Sequence, residues 1–241
     1  MTSSPTQPAT ALVTGANKGI GKQIARLLAE AGLTVHLGSR DPARGAAAAV
    51  EIGGDTRPLT LDVTDADSIA AAAERVPRLD VLVNNAGIGL DAGDAAETSL
   101  ADYRTTFETN VFGVIAVTAA FLPALRAAAH PRIVNISSGT GSLADSVGPD
   151  ATFPPTGRMA AYRVSKTTLN ALTAFYALAL PGFRVNCLAP GLRRTDLNAR
   201  AQAADGDPAE AAAGAVHLAL LPDDGPTGTF VSWDGVTPVR W

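Results

Sequence analysis

Short runs of β-branched and apolar residues alternate along this chain with longer segments of helical periodicity. This alternation predicts βαβ units, in which parallel strands are joined by crossover helices and the sheet is buried on both faces. The sequence therefore predicts an α/β fold, a single doubly wound domain with a seven-stranded parallel sheet and helices on both faces. The predicted strands are 11–13, 35–37, 59–61, 81–83, 133–136, 185–188 and 229–231, and the six predicted helices begin near residues 19, 42, 64, 99, 159 and 208.

Length, charge and cysteine usage narrow the class of protein. With 241 residues, the chain suits one large domain, expected over residues 10–241 behind a flexible tail at residues 1–9. The net charge of −4 disfavours nucleic acid and anionic membranes as partners. Cys187 is the one cysteine, so no intrachain disulfide is possible and a reducing compartment fits. Since neither a signal peptide nor an apolar run of membrane-spanning length is recognised, a cytoplasmic location is expected.

A glycine-rich turn, residues 14–21, joins the first predicted strand to the first predicted helix. The missing side chains of Gly15, Gly19 and Gly21 let the pyrophosphate of a dinucleotide approach the backbone, where a helix amino terminus supplies amides. The alternative is a tight turn whose glycines serve only steric needs. Its position after the first strand of a βαβ series favours cofactor binding.

Three motifs follow one another in the chain: Gly-x-x-x-Gly-x-Gly at residues 15–21, Asn-Asn-Ala-Gly at 84–87, and Tyr-Arg-Val-Ser-Lys at 162–166. Together they resemble the short-chain dehydrogenase/reductase family over residues 10–235. Finer detail, including Ser-Arg-Asp at 39–41, looks most like its carbonyl-reductase branch. The resemblance implies a Rossmann domain that binds NAD(P) and acts on a small-molecule carbonyl substrate.

Residues at the end of the second predicted strand bear on the choice of cofactor. In dinucleotide-binding folds a carboxylate there binds the ribose of NAD, whereas an arginine accommodates the 2′-phosphate of NADP. This chain has Arg40 there, and Lys18 and Arg44 can approach the same phosphate, so NADP(H) is favoured over NAD(H). Asp41 opposes that choice, although an N-cap role before Pro42 explains it better.

The resemblance implies further contacts with the cofactor. Asp62 would accept a hydrogen bond from the adenine amino group, although a loop or helix-capping role is an equal alternative from the residues alone. Thr195 would hold the nicotinamide carboxamide. The candidate cofactor-binding residues are Gly15, Asn17, Lys18, Gly19, Ile20, Gly21, Arg40, Arg44, Asp62, Val63, Asn85, Tyr162, Lys166 and Thr195.

Tyr162 and Lys166 lie four residues apart on a predicted helix, so their side chains share one face. A free tyrosine has a pKa of about 10, and a nearby ammonium together with an oxidised nicotinamide is expected to lower that pKa. Tyr162 can then exchange a proton with a carbonyl oxygen while hydride moves to or from the carbon.

The resemblance implies two more catalytic residues. Ser138 would hydrogen-bond the carbonyl, and it is preferred over Ser137 because alternate strand residues face opposite ways. Asn110 would support a water that relays protons to Lys166. As isolated features, a strand-end serine is more often a cap, and a helical asparagine can satisfy backbone groups at a local helix distortion. The predicted catalytic set is Asn110, Ser138, Tyr162 and Lys166.

The segment between Ser138 and Tyr162 is longer than in the shortest members of the family that the chain resembles. The excess, residues 141–157 (the flap), is expected to form an irregular wall beside the substrate cleft, and residues 192–205 a second, mobile wall. His36, His130 and His217 lack metal-ligand spacing, so no metal site is predicted. The sequence leaves the oligomeric state open between a monomer and a homo-oligomer.

These features predict an NADPH-dependent carbonyl reductase that converts a ketone or aldehyde to an alcohol. One alternative is an NAD-linked alcohol dehydrogenase that works in the oxidative direction. A second is a non-catalytic NADP-binding regulator, which the presence of all four catalytic residues disfavours. A sugar-nucleotide epimerase is disfavoured because no extra substrate domain follows the predicted sheet.

Overall fold

The computed structural model describes residues 8–90, 93–154 and 156–241, so most of the expected tail lies outside the described residues. Within these residues, seven strands form one sheet in which every neighbouring pair of strands is parallel. The strands are β1 (Thr10–Val13), β2 (Thr34–Ser39), β3 (Thr56–Thr60), β4 (Val81–Asn84), β5 (Arg132–Ile136), β6 (Arg184–Leu188) and β7 (Phe230–Val231).

The strand order is β3-β2-β1-β4-β5-β6-β7, which confirms the predicted doubly wound fold. The chain runs outward from β1 to β3, crosses back to place β4 beside β1, and continues to β7. Connections therefore diverge between the carboxyl ends of β1 and β4. That point is where open α/β sheets bind their ligands.

Helices pack on both faces of the sheet and enclose two apolar cores, because their buried residues recur at helical spacing. The first core lies under α1, α2 and α9, and the second under α3, α5 and α7. The helices are α1 (Gly19–Glu30), α2 (Pro42–Ile52), α3 (Ala66–Arg75), α4 (Leu100–Phe107), α5 (Gly113–Arg126), α6 (Leu143–Val147), α7 (Ala160–Ala179), α8 (Ala199–Gln202) and α9 (Pro208–Ala219).

Side-chain caps set where two of these helices begin. The Asp41 carboxylate accepts a hydrogen bond of 3.0 Å from the backbone N–H of Arg44, with Pro42 in the first turn of α2, as predicted. Helix α3 begins later than expected, because Asp65 is its cap and accepts from the Asp67 N–H at 3.0 Å.

The prediction of the third strand at residues 59–61 is wrong in its bounds, because β3 runs Thr56–Thr60. This strand is at the edge of the sheet, so Arg57 and Pro58 are exposed, and only Leu59 is buried. A proline is tolerated at an edge because its missing N–H leaves no inner ladder bond broken. The first half of β3 therefore lacks the apolar run by which a buried strand is recognised in a sequence.

The single helix predicted from residue 99 to 129 is interrupted by a π-helical turn at Glu108–Phe112, and α5 ends at Arg126. The combined stretch Leu100–Arg126 is long and apolar enough to cross a membrane by length and composition. Half of its most apolar 18-residue window is buried against the rest of the protein, as in the core helix of a folded domain.

The prediction of a wholly irregular flap is wrong. A 3₁₀ turn at Gly139–Gly141 leads into it, and α6 occupies Leu143–Val147. Helix α6 begins where the Ser142 hydroxyl accepts a hydrogen bond of 3.0 Å from the Asp145 N–H. The second wall also contains a short helix, α8.

Replacing Val117 with alanine tests the packing of α5. Val117 is 0% exposed, so its loss should lower the free energy of unfolding by about 2 kcal/mol through reduced apolar burial and a residual cavity. Val50→Ala makes the same chemical change on α2 at a side chain that is 84% exposed, and should shift stability by less than about 0.5 kcal/mol. Urea unfolding measures both, and equal losses would contradict the packing described.

Candidate functional site

A cleft of about 330 Å³ opens where the carboxyl ends of β1 and β4 diverge. It is lined by all the predicted cofactor-binding residues, while Asn110 and Ser138 adjoin it rather than line it. Lining residues that the sequence did not assign to the cleft include Leu61, Ile88 and Thr109, which are near neighbours of predicted ones. Asp196 and Leu197 also line the cleft and belong to the predicted second wall, residues 192–205.

The glycine-rich turn forms a cradle that side chains would fill. Gly15 and Gly19 have φ angles of +62° and +56°, which favour glycine. A Cβ on Gly21 would lie 2.3 Å from the Asn85 Nδ2 and 2.7 Å from the Gly15 carbonyl oxygen. Helix α1 starts after Lys18 with no side-chain cap, so its first-turn amides have no side-chain partner. These residues fit the pyrophosphate of a dinucleotide.

Thr14 directly follows β1 and Asn85 directly follows the neighbouring strand β4, and together they hold this cradle in place. The Asn85 Nδ2 donates to the carbonyl oxygens of Thr14 and Gly15, at 2.9 Å and 3.2 Å. In return, the Thr14 Oγ1 accepts from the backbone N–H groups of Asn85 and Ala86, both at 3.0 Å. Thr14 was not predicted to have a role, because a lone threonine after a strand has no distinguishing pattern.

The three cations predicted to meet a 2′-phosphate all line the cleft but differ in their partners. Arg44 Nε lies 3.3 Å from the Asp41 carboxylate, whose other oxygen caps α2. Lys18 Nζ lies 3.3 Å from the Asp196 carboxylate. The exposed Arg40 guanidinium has no hydrogen bond or ion pair with any other described residue. The N-cap role expected for Asp41 is confirmed.

Asp62 stabilises the loop after β3 and also lines the cleft. Its Oδ1 accepts from the backbone N–H and the hydroxyl of Thr64, at 2.9 Å and 2.7 Å. The other oxygen, Oδ2, has no partner among the described residues, and Val63 lines the cleft beside it. Asp62 therefore does not cap α3, since Asp65 does.

Lys166 is buried beside Tyr162. Its Nζ donates a 2.8 Å hydrogen bond to the Ile136 carbonyl oxygen and lies 5.8 Å from the centre of the Tyr162 ring. Burial lowers the pKa of Lys166 to about 8, because removal from water disfavours the charged ammonium.

The lowering of the Tyr162 pKa that is expected with an oxidised nicotinamide bound stays a prediction, and in the protein without cofactor the shift is in the other direction. Burial raises the pKa of this phenol, and a hydrogen bond with Ser138 offsets only part of the rise. The Lys166 ammonium does not lower it here, because that group is turned to the Ile136 carbonyl. Tyr162 is therefore protonated at neutral pH, which suits a proton donor.

Ser137 and Ser138 face opposite ways, as strand alternation predicts. The buried Ser137 hydroxyl donates to the side-chain oxygen of Asn170 on α7. The Ser138 Oγ lies 2.9 Å from the Thr140 hydroxyl and accepts from the Thr140 N–H at 3.3 Å. Ser138 thus caps the 3₁₀ turn, and its hydroxyl is also near enough to Tyr162 to affect the pKa of the phenol.

Asn110 lies within the π-helical turn and is 0% exposed. Its Oδ1 accepts from the Ile88 N–H and its Nδ2 donates to the Ile88 carbonyl, both at 2.9 Å. A Cβ on Gly87 would lie 3.3 Å from this Oδ1 and 3.6 Å from the Lys166 Nζ. Asn110 therefore fixes the loop after β4 against Lys166, and the local distortion of the helix directs it there.

Comparison with known proteins identifies the family of this chain. The family model described as short chain dehydrogenase matches residues 9–206. The chain belongs to the short-chain dehydrogenase/reductase family. It is therefore an oxidoreductase that uses a nicotinamide cofactor.

Relatives of this short-chain dehydrogenase/reductase include named plant enzymes. It is 35% identical to (-)-isopiperitenone reductase of Mentha piperita, with 93% of this chain and 96% of that protein covered. The solved salutaridine reductase of Papaver somniferum superposes with a TM-score of 0.79 at 29% identity, covering 92% of this chain and 99% of that one. A 3-oxoacyl-[acyl-carrier protein] reductase from Brucella melitensis, solved with bound NAD, superposes with a TM-score of 0.81 at 28% identity, covering 98% and 92%.

The buried Lys166 makes the stability of this short-chain dehydrogenase/reductase depend on pH. Its pKa falls from 10.5 to about 8, so the folded state binds this proton less tightly than the unfolded chain does. The resulting destabilisation is fully present below about pH 8 and disappears as the pH rises through the unfolded value.

We therefore expect the difference in free energy of unfolding between Lys166→Met and wild type to fall between pH 7 and pH 10, because methionine removes a cost that exists only at the lower pH. Urea unfolding of both proteins at each pH measures this difference. A difference that stays constant or grows toward pH 10 would contradict burial of the charged ammonium.

Proposed function

We propose that this protein is an NADPH-dependent carbonyl reductase that converts a ketone or aldehyde to an alcohol. The observation that carries the proposal is that Tyr162 and Lys166 line the same cleft as the glycine cradle, with Ser138 adjoining it beside Tyr162. The similarity to proteins named as reductases of isopiperitenone and salutaridine supports action on a small organic molecule.

Residues of this chain would hold the cofactor along the whole cleft. Gly15, Gly19 and Gly21 accept the pyrophosphate against the start of α1, and Asp62 offers its free Oδ2 to the adenine amino group. Thr195 lines the cleft opposite Gly19, with its Cγ2 3.4 Å from where a Cβ on that glycine would lie. When bound, the nicotinamide supplies the hydride for reduction.

The proton chemistry follows from the surroundings of Tyr162. Its phenol is protonated because burial raises the pKa, and it gives that proton to the carbonyl oxygen. Ser138 donates a hydrogen bond to the same oxygen and polarises the carbonyl. The Lys166 ammonium, held by the Ile136 carbonyl, provides positive charge near the phenolate that remains. Asn110 keeps the loop at Gly87 in place beside that ammonium, where a water can relay the proton back.

Arg40 supports NADPH as the cofactor, because its guanidinium has no partner among the described residues and lies in the cleft. Asp41, which would favour NAD, is occupied as the cap of α2 and as the partner of Arg44. NAD-linked alcohol oxidation is the second candidate, favoured by the bound NAD of the Brucella melitensis neighbour.

A cytoplasmic setting is part of the proposal. Cys187 is fully buried, and burial raises the pKa of its thiol to about 12. It remains a neutral core side chain that suits a reducing compartment.

Tyr162→Phe removes only the phenolic oxygen and tests the catalytic role. Oxidation of NADPH with quinones, aromatic ketones, ketoesters, cyclic terpenoid ketones or aldehydes should fall by about 10²–10⁴-fold, while NADPH affinity changes by less than about twofold. Absorbance and titration measure the two effects. Tyr103→Phe, on α4 away from the cleft, is the matched control and should keep full turnover. Undiminished turnover in Tyr162→Phe would exclude this mechanism, and NADPH binding without any turnover in the wild type would favour the regulator.

Arg40→Ala tests the choice of cofactor. Loss of one charge-assisted hydrogen bond to the 2′-phosphate should raise the KM for NADPH about tenfold to a hundredfold and leave the KM for NADH almost unchanged. Arg57→Ala removes an exposed arginine on β3, outside the cleft, and should change neither constant. A preference for NADH in the wild type that survives Arg40→Ala would instead establish the NAD-linked enzyme.

A further inference from the structure

The segment that follows β7, residues 236–241 (the strap), is fixed to the sheet. The Val239 N–H donates a 2.9 Å hydrogen bond to the Phe230 carbonyl oxygen. The Trp241 ring packs on the Phe230 ring with 5.5 Å between their centres. The strap therefore has a defined course across the edge of the fold.

The strap ends in contact with the flap. The Arg240 Nε donates a 2.9 Å hydrogen bond to the Asp145 carboxylate, and Nη2 donates to the same oxygen. Nη2 also donates to the Asp150 carbonyl at 2.8 Å. Only 11% of the Asp145 side chain is exposed, so without Arg240 a largely buried carboxylate would lack its counter-charge.

The flap packs on the 3₁₀ turn that Ser138 caps. A Cβ on Gly139, the next residue, would lie only 2.8 Å from the Phe153 ring, so that ring rests directly on the backbone there. The Ser146 hydroxyl donates a 3.1 Å hydrogen bond to the Thr140 carbonyl, and the Thr140 side chain bonds Ser138.

The 3₁₀ turn at Gly139–Gly141 also contacts α7, the helix that carries Tyr162 and Lys166. The Thr167 hydroxyl donates to the Gly141 carbonyl at 2.9 Å, directly after Lys166. A continuous series of contacts therefore runs from Arg240 through Asp145 and the flap to Ser138, and the flap also bears on α7.

We propose that Arg240 and Trp241 are positioning residues, which hold the flap against the Ser138 turn and so set the placement of the carbonyl substrate. They act on substrate rather than on cofactor, because none of their contacts with the described residues reaches the glycine cradle or Arg40. The kinetic part of this inference rests on the proposed carbonyl reductase function, whereas the anchoring of the flap does not.

The test compares Arg240→Ala, Arg240→Lys and Trp241→Ala with wild type by hydrogen exchange and by kinetics. In Arg240→Ala, amides of residues 143–153 should exchange faster while those of α1 keep wild-type rates. With menthone and phenanthrenequinone as probes, kcat/KM for the carbonyl should fall about tenfold, since small displacements of a reacting group are costly. The KM for NADPH should stay within about twofold of wild type, and Arg240→Lys should recover part of both losses.

Trp241→Ala should change both readouts in the same direction as Arg240→Ala, and it keeps the proposal testable if Arg240→Ala does not fold. Arg57→Ala removes an arginine of similar exposure from an ion pair with the more exposed Asp55 and is the matched control. Unchanged exchange in the flap would overturn the anchoring. Faster exchange with unchanged carbonyl kinetics, or an equal rise in the KM for NADPH, would overturn the positioning role. If the wild type reduces neither probe, the failure lies with the proposed function, and exchange alone decides the anchoring.

Discussion

The hydrogen bonds between Thr14 and Asn85 connect the two halves of this fold at the point where its strand order reverses. Each residue supplies both side-chain and backbone groups to the other, across the carboxyl ends of β1 and β4. The Asn85 amide also occupies the space where a side chain on Gly21 would lie. The cradle for a pyrophosphate and the loop leading to Asn110 are thus fixed by one set of bonds, and the rest of the site is built outward from it.

The second half of the cleft is organised around a buried positive charge. Lys166 is almost fully buried, and its one close partner among the described residues is the Ile136 carbonyl. Burial lowers the pKa of this ammonium to about 8 and raises the pKa of Tyr162, so at neutral pH a protonated phenol lies beside a lysine that is mostly charged. Formation of a phenolate relieves the isolation of the cation, since opposite charges within a dry site stabilise each other. A transferable proton and a charge that favours its transfer therefore lie side by side.

The sequence predicted six of the seven strands closely, the doubly wound fold and most of the cleft, because apolar periodicity and motif spacing are local properties of a chain. It misplaced β3, whose exposed Arg57 and Pro58 carry no apolar pattern, and it missed the helix in the flap. The rise in the pKa of Tyr162 comes from burial of its phenol, which four-residue spacing does not determine. The pairing of Arg240 with Asp145 joins residues 95 apart in the chain, and only the folded topology brings them together. Local chemistry was thus predictable, whereas electrostatics and long-range anchoring were not.

The most direct test of the central claim follows the fate of the hydride itself. NADPH labelled with deuterium at the transferable position of the nicotinamide is incubated with the wild-type protein and a carbonyl compound such as menthone, and the alcohol is analysed by mass spectrometry. Direct hydride transfer should give an alcohol that carries one deuterium on the carbon that was the carbonyl carbon. An unlabelled alcohol, or no alcohol from any ketone, aldehyde or quinone while NADPH binds tightly, would contradict it.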